Sequence, residues 1–443
     1  MSTLTILIVT VFVIGYLCIA LESVTKIDKA AIALLMCVFC WTLLMMGPGA
    51  YYPEVAADGV LHHIAEVIEH HLGDAAGTLF FLMGAMTIVE IVDTNGGFNF
   101  VRDALKTRSK RKLMWRMAFM TFFLSAILDN LTTSIVMIMV LRKLVQNRND
   151  RMIYAALVII SANSGGAFSP IGDVTTIMLW IKGVITTQGV LTEIFIPSLV
   201  SMLVPAFILQ YSLKGQFDKT ENLPTAEVSS FTKAQRNTIF WLGVGGLVFV
   251  PIFKTLTHLP PFMGILLVLG VLWTTTEIFY YNMDEDCTMC NRISKILTKI
   301  DLATIMFFLG ILMAVAVLQE IGVLAALGEG LNEAFSGNYY VINGLIGVLS
   351  SIVDNVPLVA GCMGMYPVTP DGAMAIDGIF WQLLAYCAGV GGSMLIIGSA
   401  AGVVVMGLEK ITFGWYMKKI TWIVFVGYMA GILSYWLEKT FLF

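Results

Sequence analysis

The chain has 443 residues, of which 58% are hydrophobic and 13% charged, with a formal net charge of -4 and a mean hydropathy of +0.85. That balance excludes a soluble globular domain and makes an all-α polytopic membrane protein the expected class, with the lipid bilayer as its first partner. No basic tract with interleaved aromatics is present, so no nucleic acid is expected to bind.

About 20 apolar residues are needed to cross about 30 Å of hydrocarbon. In chain order such stretches lie near 5–22, 29–47, 74–92, 152–182, 193–213, 237–255, 261–281, 302–322, 379–407 and 419–441. The first has no basic leader and no small-residue cleavage site, and reads as a retained span. Between the second and third runs an acidic loop, 48–73, containing HHIAEVIEHH. On a helix its Val60, Ile64, Val67 and Ile68 form an apolar stripe, while His62, Glu66, Glu69 and His70 gather on another face. Imidazoles beside carboxylates titrate near neutral pH, so His62 and His70 are candidate pH-sensing groups, with Glu90 at the inner end of the next span as a third. The plainer readings are an interfacial helix and a snorkelling glutamate.

Two further apolar stretches, 113–141 and 337–365, carry SAILDNLTTS and SSIVDNVPLVAG. The loop before the first holds Arg102, Lys106, Arg108, Lys110, Arg111, Lys112 and Arg116, and the loop after it Arg142, Lys143, Arg148 and Arg151. Both ends are therefore cytoplasmic by the positive-inside rule, and the stretch must be a re-entrant hairpin, or a pair of short helices, with its tip near Asp129. The second stretch is flanked by Glu329, Glu333, Asp371 and Asp377 without Lys or Arg, so it enters from outside. The same rule puts Lys26, Lys29, Lys214, Lys219, Lys233, Arg236, Arg292, Lys295, Lys299, Lys410, Lys418 and Lys419 inside and both termini outside.

The chain repeats itself. FFLMGAM at 80–86 matches FFLGILM at 307–313, the Asp-Asn pairs are 225 apart, and Gly165-Gly166 with Gly172 matches Gly391-Gly392 with Gly398. Each half, 1–214 and 237–443, holds about five spans and one hairpin, an odd number, so the halves are expected to be inverted, joined by a cytoplasmic linker at 215–236. Inverted repeats of this kind place a transporter's binding site at their interface near the midplane. The seven cysteines are scattered, and CTMC at 287–290 is a lone pair that is weak grounds for zinc.

After each hairpin comes a segment interrupted by small and polar residues, SANSGGAFSPIGDVTT within 152–182 and AGVGGSMLIIGSAAG within 379–407, each expected to be a helix broken mid-membrane. A hard alkali cation prefers oxygen ligands. Asp129, Asn130, Thr132, Thr133, Asp173, Thr175 and Thr176 supply them in the first half, and Asp354, Asn355, Ser350, Ser393 and Ser399 in the second. A charged carboxylate at such depth is costly and functional by default, and one that takes either Na⁺ or a proton couples the two flows by competition. Polar residues that only bridge packed helices are the bland alternative, favoured for Thr121, Ser125 and Ser134. Asp173 aligns with Ser399 and Thr175-Thr176 with Ala401-Gly402, so the first half is expected to dominate ion binding.

Taken together, SAILDNLTTS, SANSGGAFSPIGDVTT and SSIVDNVP, in this order over nearly the whole chain, resemble the NhaD-type sodium/proton antiporters of the ion transporter superfamily. The resemblance implies exchange of Na⁺ or Li⁺ for H⁺ with no further cofactor, in a bacterial inner or plasma membrane. It also implies a homodimerising scaffold and a transport region that moves as an elevator. Functional positions carry over onto Asp129, Asn130, Asn163, Asp173, Thr175, Thr176, Ser350, Asp354 and Asn355, and less securely onto Ser393 and Ser399, with Na⁺ expected at Asp129, Asn130, Asp354 and Asn355. The alternative inside the superfamily is an organic-anion or arsenite carrier, which typically lacks an acid at the hairpin tip. An intramembrane aspartyl protease is a remote alternative, because its Tyr-Asp and Gly-x-Gly-Asp motifs are missing.

Overall fold

A computed structural model of the chain describes residues 2–20, 25–52, 59–98, 101, 104, 105, 107–213, 215–217, 231–281 and 293–441. Arg102, Lys106, Lys214, Lys219, Arg292, the CTMC pair and most of the linker lie outside the described residues. The architecture is all-helical, and helix ends track the sequence closely because Asp, Asn, Ser and Thr caps punctuate long apolar runs. One boundary differs. Val60–Thr94 is a single helix of 35 residues, so the histidine segment and the third span are continuous. At 1.5 Å per residue it is about 52 Å long and overshoots the hydrocarbon.

Each of the two Asp-Asn stretches, the expected hairpins, is a pair of helices broken just before the Asp-Asn pair or at it. The first hairpin consists of Lys110–Ser125 and Asn130–Leu144, and the second of Tyr339–Ser350 and Asn355–Met365. The two glycine-rich segments are broken helices, Arg148–Ala167 followed by Val174–Lys182, and Ile379–Gly391 followed by Ala400–Glu409. Each half-helix that starts inside the bundle begins on a short polar cap. Asp129 accepts from Thr132 N, Asp173 from Thr175 N, Asp354 from Val356 N and Ser399 from Gly402 N. The residues singled out for ion binding thus also satisfy backbone donors that lipid would leave orphaned.

Close contacts recur between the halves. Ser125 Oγ donates to the Ala162 carbonyl and Ser350 Oγ to the Ala388 carbonyl, both at 2.7 Å. Gly165 lies against the Phe122 backbone and Gly391 against the Gly347 backbone, so tightly that a Cβ at either would collide with a carbonyl. Only glycine allows each hairpin to seat on its broken helix.

The helices sort into two bundles. Thr3–Ala20, Lys29–Met45, Val60–Thr94, Lys233–Thr257, Pro261–Tyr281 and Leu302–Glu320 pack on one another. Trp41 Nε1, for example, donates to the Met313 carbonyl at 2.9 Å, and Tyr280 Oη to Asn95 Oδ1 at 2.6 Å. The hairpins and broken helices form the second bundle with Phe195–Leu209 and Thr421–Phe441, where Tyr386 Oη donates to the Tyr428 carbonyl at 2.9 Å. Among the described residues, five helices are long and apolar enough to cross a membrane, and Phe413–Lys419 with Thr421–Phe441, bent by 54°, makes a sixth candidate.

Candidate functional site

Both hairpins and both broken helices converge on one buried polar cluster. Its centre is Asp173, which is 1% exposed. Asn130 Nδ2 donates to Asp173 Oδ2 at 2.6 Å, and Asn355 Nδ2 to Asp173 Oδ1 at 3.4 Å, so the asparagines of the two hairpin tips meet on one carboxylate. Thr175 adds its backbone N–H and its hydroxyl to Oδ1, both at 2.9 Å, and Thr176 Oγ1 donates to the Asp173 carbonyl at 2.8 Å.

Asn163 joins the two halves. Its Oδ1 accepts from Asn130 Nδ2 at 3.1 Å, and its Nδ2 donates to Ser393 Oγ at 2.8 Å and Ser399 Oγ at 2.9 Å. These atoms form one connected network in a low-dielectric interior, where each hydrogen bond is strong and each missing one is costly. A cation bound here would be coordinated by oxygen, so the amides of Asn130 and Asn355 would have to turn their Oδ1 atoms inward.

The two matched aspartates lie around this cluster and face different partners. Asp129 accepts from Thr132 N at 2.7 Å and Thr132 Oγ1 at 2.6 Å, and borders a cavity of about 50 Å³ lined by Phe81, Leu82, Val89 and Phe308 of the other bundle. Asp354 accepts from Lys29 Nζ at 3.0 Å. Thr133 Oγ1 is buried with no hydrogen-bond partner among the described residues, and Ser350 is taken up by the Ala388 carbonyl. Nothing in the motifs signals the Lys29 contact, because its partner is 325 positions away and a lysine before an apolar run reads only as a topology marker.

The candidate pH-sensing groups lie elsewhere. His62 is exposed beside Glu66 at 3.4 Å, and His70 lies against the ring of His71. Glu90 meets Lys299 Nζ at 3.0 Å and Thr94 Oγ1 at 3.0 Å. His71 has a tertiary hydrogen-bond partner, its Nε2 lying 2.8 Å from Glu320 Oε1, while Tyr52 Oη donates to Glu320 Oε2 at 2.7 Å. His70, His71 and Glu320 rim a cavity of about 890 Å³ that reaches down to Thr78, Leu312, Ala316 and Ala360 between the two bundles.

Polar ties hold the second bundle together at both ends. Arg142 Nε and Arg151 Nε meet the two oxygens of buried Glu409 at 2.7 and 2.6 Å, and Arg142 also meets the Leu408 carbonyl. At the other end Asp377 accepts from Thr186 N at 2.7 Å, Thr186 Oγ1 at 2.6 Å and Gln382 Nε2 at 2.7 Å.

The citrate transporter family profile matches residues 16–384. Sodium/proton antiporter 1 of Arabidopsis thaliana is 46% identical over 425 residues, covering 96% of this chain and 71% of the relative. Sodium/proton antiporter 2 of the same plant is 41% identical, covering 96% and 97%. The Na(+)/H(+) antiporter NhaD of Alkalimonas amylolytica is 30% identical over 472 residues, covering 97% and 90%. In fold the chain is similar to the YdaH transporter of Alcanivorax borkumensis, with a TM-score of 0.58 over 87% of this chain and 90% of that one, at 13% identity.

Proposed function

The chain belongs to the citrate transporter family, among its NhaD-type sodium/proton antiporters, and from that premise we propose that it exchanges Na⁺ or Li⁺ for H⁺ across its membrane by alternating access. It is a transporter and not an enzyme, and no protease chemistry is retained in this reading. The observation that carries the proposal is the convergence of Asn130 and Asn355, one from each hairpin tip, on the single buried carboxylate of Asp173. A cation can exchange there for a proton without leaving an unpaired buried charge. An anion carrier would put donors at its centre without an ionisable acid, so the organic-anion alternative is not favoured.

In this reading Asp173, Asn130, Asn355, Asn163, Thr175 and Thr176 hold the ion, and Ser393 and Ser399 orient Asn163. Asp129 and Asp354 act at the approaches to that centre, with Thr132 orienting the first. The two halves are inverted repeats, supported by the matching contacts of Ser125 on Ala162 and Ser350 on Ala388, and of Gly165 on Phe122 and Gly391 on Gly347. The bundle carrying the cluster moves as a unit against the other, supported by the ties at Glu409 and Asp377 at its two ends. Both termini lie outside an inner or plasma membrane, and the chain acts as a homodimer.

The test is cation-driven proton movement in everted vesicles of cells producing the chain, compared across Na⁺, Li⁺ and K⁺. Alkalinisation of the lumen's proton store on adding Na⁺ or Li⁺ is expected. Its absence with all three cations, together with flux of a dicarboxylate, would overturn the reading.

A further inference from the structure

Lys29 opens the helix Lys29–Met45, in the bundle that lacks the buried Asp173 cluster, yet its charge reaches across to the other bundle. Its Nζ lies 3.0 Å from Oδ2 of Asp354, the N-cap of Asn355–Met365. The ring of Phe307, on Leu302–Glu320, is 4.3 Å from the same Nζ and steadies the ammonium by a cation–π contact. The backbone that carries the lysine is fixed in its own bundle. Gly310 approaches Ala33 so closely that a Cβ would stand 2.6 Å from the Ala33 carbonyl carbon. With side chains 23% and 15% exposed, the pair is poorly solvated and stronger than an ion pair in open water. At the matched position of the other hairpin, Asp129 accepts from Thr132 instead of a lysine.

Resting on the exchange reading above, we propose that Lys29 is an internal cation that occupies Asp354 while Na⁺ is absent, that Na⁺ competes with it for this carboxylate, and that the swap unties the two bundles. An ammonium and a sodium ion seek the same oxygens. Two positive charges within about 4–6 Å repel, so occupancy by one weakens the hold of the other. Asp354 is also covalently next to Asn355, whose amide meets Asp173, so a Na⁺ entering the central cluster acts on the lysine contact through adjacent residues. Lys29 is therefore a positioning residue that sets apparent Na⁺ affinity and links occupancy to movement.

The experiment is binding of radiolabelled Na⁺ to the detergent-purified full chain. Lys29→Gln removes the competitor and is expected to bind Na⁺ about three- to tenfold tighter, whereas a merely structural lesion would weaken binding. Lys29→Arg restores a cation and should return affinity toward the wild-type value. On the wild-type chain, acylation of Lys29 followed by peptide mass spectrometry should quicken when NaCl replaces choline chloride. That measurement stands even if Lys29→Gln does not fold. Unchanged or weaker Na⁺ binding by monodisperse Lys29→Gln, or Lys29 reactivity indifferent to Na⁺, overturns the proposal while the exchange reading survives. Absence of any Na⁺ binding by the wild-type chain would instead defeat the exchange reading itself.

Discussion

At the scale of single residues, the two aspartates at equivalent places in the repeat differ from the one that receives most contacts. Asp173 has no acidic counterpart in the second half, where Ser399 stands. Asp173→Asn should therefore abolish Na⁺-driven proton movement in vesicles, while Ser399→Ala, which removes one acceptor from Asn163, should weaken Na⁺ affinity by less than about tenfold. A Ser399→Ala defect as deep as that of Asp173→Asn would remove the carboxylate from its central role. Competition also fixes a pH dependence. If Na⁺ displaces one proton, apparent Na⁺ affinity falls as pH drops, approaching tenfold per pH unit below the relevant titration, and levels off above it. By linkage, Na⁺ must then release protons from purified protein in weakly buffered solution, with choline chloride as the control. Equal release by the two salts between about pH 6 and 9 would rule out direct competition.

At the scale of elements, the hairpins depend on glycine and on charge. Gly165→Ala places a methyl group against the Phe122 carbonyl, and the hairpin must shift or the helix must bend. That chain should lose a few kcal/mol or more, by the usual measure of overpacking, and unfold at lower temperature in detergent. Gly245→Ala and Gly270→Ala, where nothing lies within 4 Å of the new Cβ, should be neutral or mildly stabilising because alanine favours the helix. The topology is checked by labelling. Single cysteines replacing Arg108 and Arg148 should react only with a cytoplasmic reagent, and those replacing Glu333 and Asp371 only with an external one. Opposite labelling within either pair would make that hairpin an ordinary span.

At the scale of the whole molecule, the proposed movement of one bundle against the other predicts which cross-links stop transport. Lys182 at the C-terminal end of Val174–Lys182 meets Asp74 of Val60–Thr94 at 3.2 Å, a contact between bundles. Cysteines at these two positions, bridged by a short disulfide-forming bifunctional thiol reagent, should arrest exchange and a reductant should restore it. The pair Thr186 with Asp377 lies within one bundle, and a disulfide there should leave exchange running. Arrest by the second pair but not the first would contradict a rigid moving unit.

Much of this was legible without coordinates. Runs of apolar residues set the helices, because a span must satisfy its own backbone in lipid, and the loop lysines and arginines set the expected sides. Polar residues inside apolar stretches stood out because burying them is costly, which is how Asp129, Asp173 and Asp354 were singled out together. Which of them would sit at the centre was decided only by the tertiary structure. Asp173 meets Asn130 and Asn355, Asn163 meets two serines of the other half, and Asp354 is turned toward Lys29, because helices far apart in the chain are brought side by side. The single long helix through the histidine segment and the tie of His71 to Glu320 were likewise beyond local pattern. Periodicity reports what one helix must bury, whereas a side chain's partner depends on how separate helices dock, and that docking is the sum of packing over the whole molecule.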